Sequence, residues 1–139
     1  MNIPMRFVII LLMVIGGMSS LVIAQEPADF RGNWDMEEIG GLAFGLELQQ
    51  EGNTVFGHHC GMLSDGSRID CSLAGEDDPT ITGSIAGNVA KVRFTSAYSG
   101  QIGMAKLTRQ DELLLWEITA YPNGVYYLPD QAVLTKTAD

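Results

Sequence analysis

The side chains best suited to chemistry lie in two short neighbouring segments. The first contains His58, His59 and Cys60, and the second contains Asp70 and Cys71. Imidazole, carboxylate and thiolate groups are the usual ligands of zinc. In an extended strand, however, His58 and His59 point to opposite sides, and we expect the two cysteines to be bonded to each other. We therefore predict no metal or other cofactor here, and we treat His58, His59 and Asp70 as a second-choice binding surface.

The N-terminus has the pattern of a cleavable export signal. Arg6 supplies a positive charge, and no polar side chain occurs from Phe7 to Ile15, as in the n-region and h-region of such signals. Val22 and Ala24 are the small residues that a signal peptidase requires, so we predict cleavage after Ala24. A retained membrane anchor is the alternative, because the apolar segment is only slightly shorter than the ~20 residues that cross a bilayer.

Cleavage would leave residues 25–139 as one acidic domain, since this length is typical of a single domain. The chain has 8 Lys and Arg against 17 Asp and Glu, and Arg6 leaves with the signal, so the mature balance is 7 minus 17, or −10. This excess argues against nucleic acid and against stable association with anionic membranes, which attract basic patches. It favours a basic exported protein as the partner and, with the signal, a periplasmic or secreted location.

The cysteines, the only two in the chain, are predicted to form a disulfide across a β-hairpin. An even count in an exported chain is most simply a bond. Between them lies Asp65-Gly66, a strong hairpin signal, and a hairpin centred there places Cys60 opposite Cys71. If a four-residue loop closes with Leu63 opposite Arg68, the cysteines occupy a non-hydrogen-bonded pair, where facing side chains are closest.

The mature chain is predicted to be all β. Short segments of alternating polarity recur between Gly, Asn and Asp turns, and no stretch of 11 or more residues has a helical period. Leu42, Phe44, Leu46 and Leu48, for example, share one face of a strand. About eight such strands with short sequential connections close most economically as a small antiparallel up-and-down barrel, which removes exposed edges. A two-sheet sandwich is the alternative.

The first strand resembles the opening strand of lipocalins and avidins. The segment Phe30-Arg31-Gly32-Asn33-Trp34 contains their Gly-x-Trp pattern, in which the Trp closes one end of a small barrel. No second lipocalin motif of the Thr-Asp-Tyr type follows, and avidin's biotin-contacting pattern is not present. The resemblance implies that a basic residue of the last strand packs over Trp34, and Lys136 is the one candidate there.

A second resemblance concerns the segments around the cysteines. Together with Tyr126-Tyr127-Leu128-Pro129 they resemble a pattern of uncharacterised exported proteins of Gram-negative bacteria. This resemblance implies a compartment and no particular activity.

Two loops are candidate partner-binding surfaces. Glu76, Asp77 and Asp78 form the densest negative patch. Such a patch steers a basic partner, although a solvated acidic loop is the plainer interpretation. The patch lacks the alternating oxygen spacing of a calcium loop.

The second loop, residues 120–129, contains Tyr121, Tyr126 and Tyr127, three of the four tyrosines. Aromatic side chains on a proline-stiffened loop are typical of recognition surfaces. Alternatively, Tyr126 or Tyr127 merely caps the barrel end.

No motif of a known catalytic type is present, such as Gly-x-Ser-x-Gly or His-Glu-x-x-His. We therefore predict a non-enzymatic binding protein of the cell envelope, in particular an inhibitor or immunity-type protein that blocks a basic secreted enzyme such as a peptidoglycan hydrolase. The alternative is a small-ligand carrier of the lipocalin or avidin kind, which needs a cavity inside the barrel. Gly103 and Ala105 would leave room for one, whereas Phe94 and Trp116 would fill it.

Overall fold

A computed structural model shows the chain as a closed antiparallel β-barrel with one extra strand. The structure describes residues 16–17, 26–72 and 78–137, so the predicted signal peptide, apart from residues 16–17, lies outside the described residues. The strands are β1 (Gly32–Met36), β2 (Leu42–Glu51), β3 (Thr54–Leu63), β4 (Ile69–Cys71), β5 (Ile81–Ala86), β6 (Val89–Thr95), β7 (Ile102–Gln110), β8 (Leu113–Ala120) and β9 (Gln131–Lys136). Among the described residues, no helix is long and apolar enough to cross a membrane.

Eight strands form the wall of the barrel. Their order around it is β1, β2, β3, β5, β6, β7, β8 and β9, and the pairing of β9 with β1 closes the ring. The ninth strand, β4, pairs only with β3. It lies beside residues 60–62 of β3, whereas β5 lies beside residues 54–57, so β4 continues the wall beyond β5. The prediction of an all-β up-and-down barrel is confirmed.

The interior of the barrel is filled by large apolar side chains. Strand alternation turns Leu114, Trp116 and Ile118 of β8 inward, and all three are buried. The Trp116 ring packs between those of Phe44 and Phe94, with centroid distances of 5.1 and 5.4 Å. These tilted aromatic contacts add to the free energy of apolar burial.

Gly103 and Ala105, the small inward residues of β7, do not leave room for a ligand cavity of the kind that a carrier requires. A Cβ on Gly103 would collide with the ring of Phe94, which already occupies that volume. Ala105 is 2% exposed and belongs to the same packed core. Small residues here accommodate large neighbours, as close packing of a protein interior requires.

The two ends of the barrel differ in their connections. At the turn end, tight turns at 52–53, 87–88 and 111–112 join the strands. At the opposite end, which we call the loop end, the described parts of the connections are residues 37–41, 64–68, 72, 78–80, 96–101 and 121–130. The loop end therefore offers most of the irregular surface on which binding sites usually form.

The turn end is closed around Trp34. Its indole nitrogen donates to the carbonyl of Phe30 at 3.0 Å, and its side chain is almost fully buried. The Nζ atom of Lys136 lies 5.8 Å from the ring centroid, and the guanidinium carbon of Arg109 lies nearer, at 4.8 Å. Arg109 also donates to the carbonyl of Asp29. The contact with Arg109, which comes from β7, was not predicted from the sequence.

Candidate binding surface

The β3–β4 hairpin is the first element of the loop end. The amide of Leu63 donates to the carbonyl of Arg68 at 3.0 Å, so the hairpin loop has the predicted closure. Alternation from this hydrogen-bonded pair makes Cys60 and Cys71, three positions along, a non-hydrogen-bonded pair. The two cysteines form a disulfide. The bond fixes the register of β4, which has only three residues.

Asp70 is the centre of a buried polar cluster. Its side chain has no exposed surface. Its Oδ1 accepts from Nε2 of His59 at 2.8 Å and from the amide of Ala97 at 2.7 Å. Its Oδ2 accepts from the hydroxyl of Ser96 at 2.6 Å and from the amide of Tyr127 at 3.2 Å. One carboxylate thus joins β3, β4 and two loops of the loop end. We call these residues, with Thr80, the Asp70 cluster.

The hydrogen bonds of the cluster keep Asp70 ionised. Burial by itself raises the pKa of this carboxyl, but the hydrogen bonds from His59 and Ser96 and from the backbone of Tyr127 outweigh it and hold the pKa at about 2. An ionised carboxylate only accepts, so Nε2 of His59 carries a proton. Nδ1 of His59 lies 2.7 Å from the hydroxyl of Thr80. The cluster therefore also holds the point at which the 72–80 connection enters β5.

Gly61 lets the β8–β9 loop reach the cluster. It lies on β3 directly opposite Asp70. A Cβ at this position would collide with the carbonyl of Tyr127 and the side chain of Leu128. Leu128, which is 6% exposed, then packs into the core at this end of the barrel.

All four tyrosines lie at the loop end, because Tyr98 is in the β6–β7 loop and the other three are in the β8–β9 loop. Tyr127 contacts the Tyr98 ring edge-on, with a centroid distance of 4.9 Å, and its hydroxyl accepts from Arg68 at 2.6 Å. Tyr126 packs against the core. Tyr98 and Tyr121 are 58% and 61% exposed. The loop therefore both caps the barrel and presents an aromatic side chain, and sequence reasoning did not select Tyr98.

Large apolar side chains are exposed around the same end. Those that lie in its connections or within two residues of them are Ile39, Met62, Ile69, Tyr98, Ile102, Tyr121 and Val125. We call this set the apolar rim. Within the described part of the chain, none of the exposed large apolar side chains lies in the three turns of the turn end. Exposed apolar surface is thus concentrated at the loop end, as it is at protein interaction sites.

The loops of the loop end are acidic. Their described residues include five carboxylates, Glu37, Glu38, Asp65, Asp78 and Asp130. Arg68 is the one basic residue in the same described segments. Of the predicted acidic patch, Asp78 is exposed, whereas Glu76 and Asp77 lie outside the described residues.

His58 lies on the outer wall, away from the Asp70 cluster. Its Nδ1 is 2.8 Å from the hydroxyl of Ser72, in an open groove of about 450 Å³ that also includes Asp35 and Glu47. The two histidines therefore belong to different environments, His58 to the outer wall and His59 to the buried cluster. Across residues 26–72 and 78–137, no three His, Cys, Asp or Glu side chains are grouped as a metal site.

Comparison of the chain with protein-family models, with curated proteins and with solved structures gives no match. The resemblances to lipocalins and avidins and to exported Gram-negative proteins therefore stay predictions. Function has to be inferred from the geometry and charge of the chain itself.

Proposed function

We propose that the protein is a non-enzymatic binding protein of the cell envelope that uses its loop end to bind a basic exported protein. In its simplest form it is an inhibitor or immunity-type protein of a basic secreted enzyme, such as a peptidoglycan hydrolase. The observation that carries the proposal is the apolar rim, which exposes seven large apolar side chains at one end of the barrel. Large exposed apolar patches on soluble proteins mark interaction sites.

The rim is attached to a rigid support. The Asp70 carboxylate holds two loops against β3 and β4, and the disulfide between Cys60 and Cys71 holds the hairpin. A surface that is ordered before binding loses less conformational entropy when the complex forms. Tyr98 and Tyr121 are suited to be anchors, because tyrosine brings a large contact area with few rotatable bonds.

The charge of the loop end favours a basic partner. Five carboxylates against one guanidinium in its described loops make this surface negative. Exposed charges of opposite sign speed the encounter of two proteins more than they strengthen the final complex. The disulfide is compatible with the oxidising compartment in which such an enzyme would be met. The packing of Phe94 beside Gly103 supports binding on the outside of the barrel over transport of a ligand inside it.

A pull-down from an envelope extract, with the mature protein as bait, tests the proposal. Association and dissociation rates measured with the captured partner then separate the contribution of the acidic residues from that of the tyrosines. Replacing Glu76, Asp77 and Asp78 by Ser should slow association at low salt, and the difference should shrink as salt rises, because screening acts beyond a Debye length of about 8 to 10 Å. Replacing Glu51 and Glu112 by Ser and Asp111 by Asn at the turn end removes the same number of charges and is the matched control.

Tyr98→Ala and Tyr121→Ala should mainly speed dissociation, by about tenfold or more, since loss of an aromatic anchor acts on the off-rate. Dissociation rates that both variants leave unchanged would place the binding surface elsewhere on the barrel. Failure to capture any basic exported protein would contradict the proposed partner class.

A further inference from the structure

The pairing of β1 with β9 ends before β9 does. The last pair of this ladder is Met36 with Leu134. After Met36, the chain leaves the wall and turns back toward β2 through the bridge between Ile39 and Leu42. Residues 131–133 of β9 pair with β8, and no described strand pairs with their other side. The wall therefore has a short free strand edge near the loop end, and such an edge is a template for another extended chain.

A groove of about 680 Å³ lies along this free edge. This volume is within the range of about 300 to 1,000 Å³ that is typical of ligand sites. Its apolar lining includes Ile39, Leu115 and Val133. Ile39 and Val133 are 69% and 54% exposed, so a large part of this apolar surface is uncovered.

The groove carries negative charge beside its apolar surface. Asp35, Glu37 and Glu117 line it, and none of its described lining residues is basic. Glu117 lies 3.5 Å from Nζ of Lys106, but both side chains are nearly half exposed, and such pairs are weak. Asp35 and Glu37 have no ion-pair partner within the part of the chain that the structure describes. An occupant that complements this groove has to be cationic and partly apolar.

We propose that the groove binds an extended basic peptide segment as an added strand on the free edge of β9. Strand addition satisfies backbone groups and leaves alternate side chains to confer specificity. Long basic side chains are apolar along their length and charged at the tip. The aliphatic stem of a Lys or Arg of the peptide would therefore cover Leu115 and Val133. Its charged head would reach Asp35 or Glu37. This inference concerns the side wall of the barrel next to the loop end. The groove shares Glu37 and Ile39 with the loop end, but the proposal does not depend on the loop end binding an enzyme.

The probe is the peptide acetyl-Lys-Val-Lys-Val-Lys-amide, added to the purified oxidised protein. Isothermal titration calorimetry measures binding, and hydrogen exchange of the amides of Gln131 and Val133 reports strand pairing. We expect saturable binding and slower exchange at both amides. The same peptide with Glu in place of Lys should not bind. A version with N-methylated backbone amides should bind at least about tenfold more weakly, because it lacks the strand donors.

Asp35→Asn combined with Glu37→Gln should weaken binding of the peptide about fivefold, as expected for loss of two exposed charge pairs. Glu51→Gln combined with Glu112→Gln, at the turn end, is the matched control and should have no effect. Equal affinity of both double variants, or unchanged exchange at Gln131 and Val133 in the saturated protein, would overturn the proposal. The tyrosine variants of the loop end should bind the probe normally, so failure of this site and failure of the loop-end site are distinguishable.

Discussion

Asp70→Asn removes a negative charge from the centre of the loop end with almost no change of shape. All four groups that contact Asp70 are donors, from His59, Ser96, Ala97 and Tyr127. An Asn side chain has one acceptor oxygen and one NH₂ group. The amide is better satisfied with its NH₂ group toward His59 and Ala97, because the imidazole can then accept at Nε2 and donate from Nδ1 to Thr80. The amide of Ala97 is left without an acceptor.

The expected loss of stability follows from this geometry. Leaving a buried donor without an acceptor costs about 1 to 3 kcal/mol. We therefore expect Asp70→Asn to lower the free energy of unfolding by about 1 to 3 kcal/mol, a substantial part of the roughly 5 to 15 kcal/mol that is typical of a domain.

Equilibrium unfolding of the oxidised protein in urea measures the effect. Asp65→Asn is the matched control, because Asp65 is an exposed residue of the same hairpin, and the change there should cost about 0.5 kcal/mol or less. Hydrogen exchange should also become faster at the amide of Ala97, which loses its acceptor. A loss below about 1 kcal/mol, or one equal to that of Asp65→Asn, would refute the view that Asp70 holds the loop end together.

Three further predictions concern acid stability, the disulfide and export. The pKa of Asp70 in the folded protein is about 2, below its ordinary 3.8, so about 2 kcal/mol of stability is present above pH ~4 and is lost as the pH falls to ~2. Between these pH values the free energy of unfolding should therefore fall more steeply for the wild-type protein than for Asp70→Asn. Parallel curves of unfolding free energy against pH would contradict the ionised cluster. Replacing Cys60 and Cys71 by Ser should cost about 2 to 3 kcal/mol, and two free thiols in non-reducing peptide mapping would exclude the bond. The intact mass of the exported protein should lack the first 24 residues, whereas a full-length mass in the membrane fraction would support the retained anchor.

Local patterns in the sequence were sufficient to predict the strands, the barrel class and the hairpin register. Alternation in segments such as Leu42 to Leu48 is a local property, because successive side chains of a strand point to opposite faces. The position of Cys60 opposite Cys71 follows from a turn signal only a few residues away. The same alternation along β3 places His58 on the outer wall and His59 in the interior.

The role of Asp70, by contrast, depends on contacts between distant parts of the chain. Its donors on Ser96 and Tyr127 are 26 and 57 residues away in the sequence, and no local pattern brings them together. The contact of Arg109 with Trp34 is a similar case, since a cation on a middle strand reaches the first strand only when the barrel closes. The sequence also does not show whether Gly103 leaves a cavity. In a close-packed interior the space beside a small residue is filled by a large side chain from another strand, and here it is the ring of Phe94 that fills it.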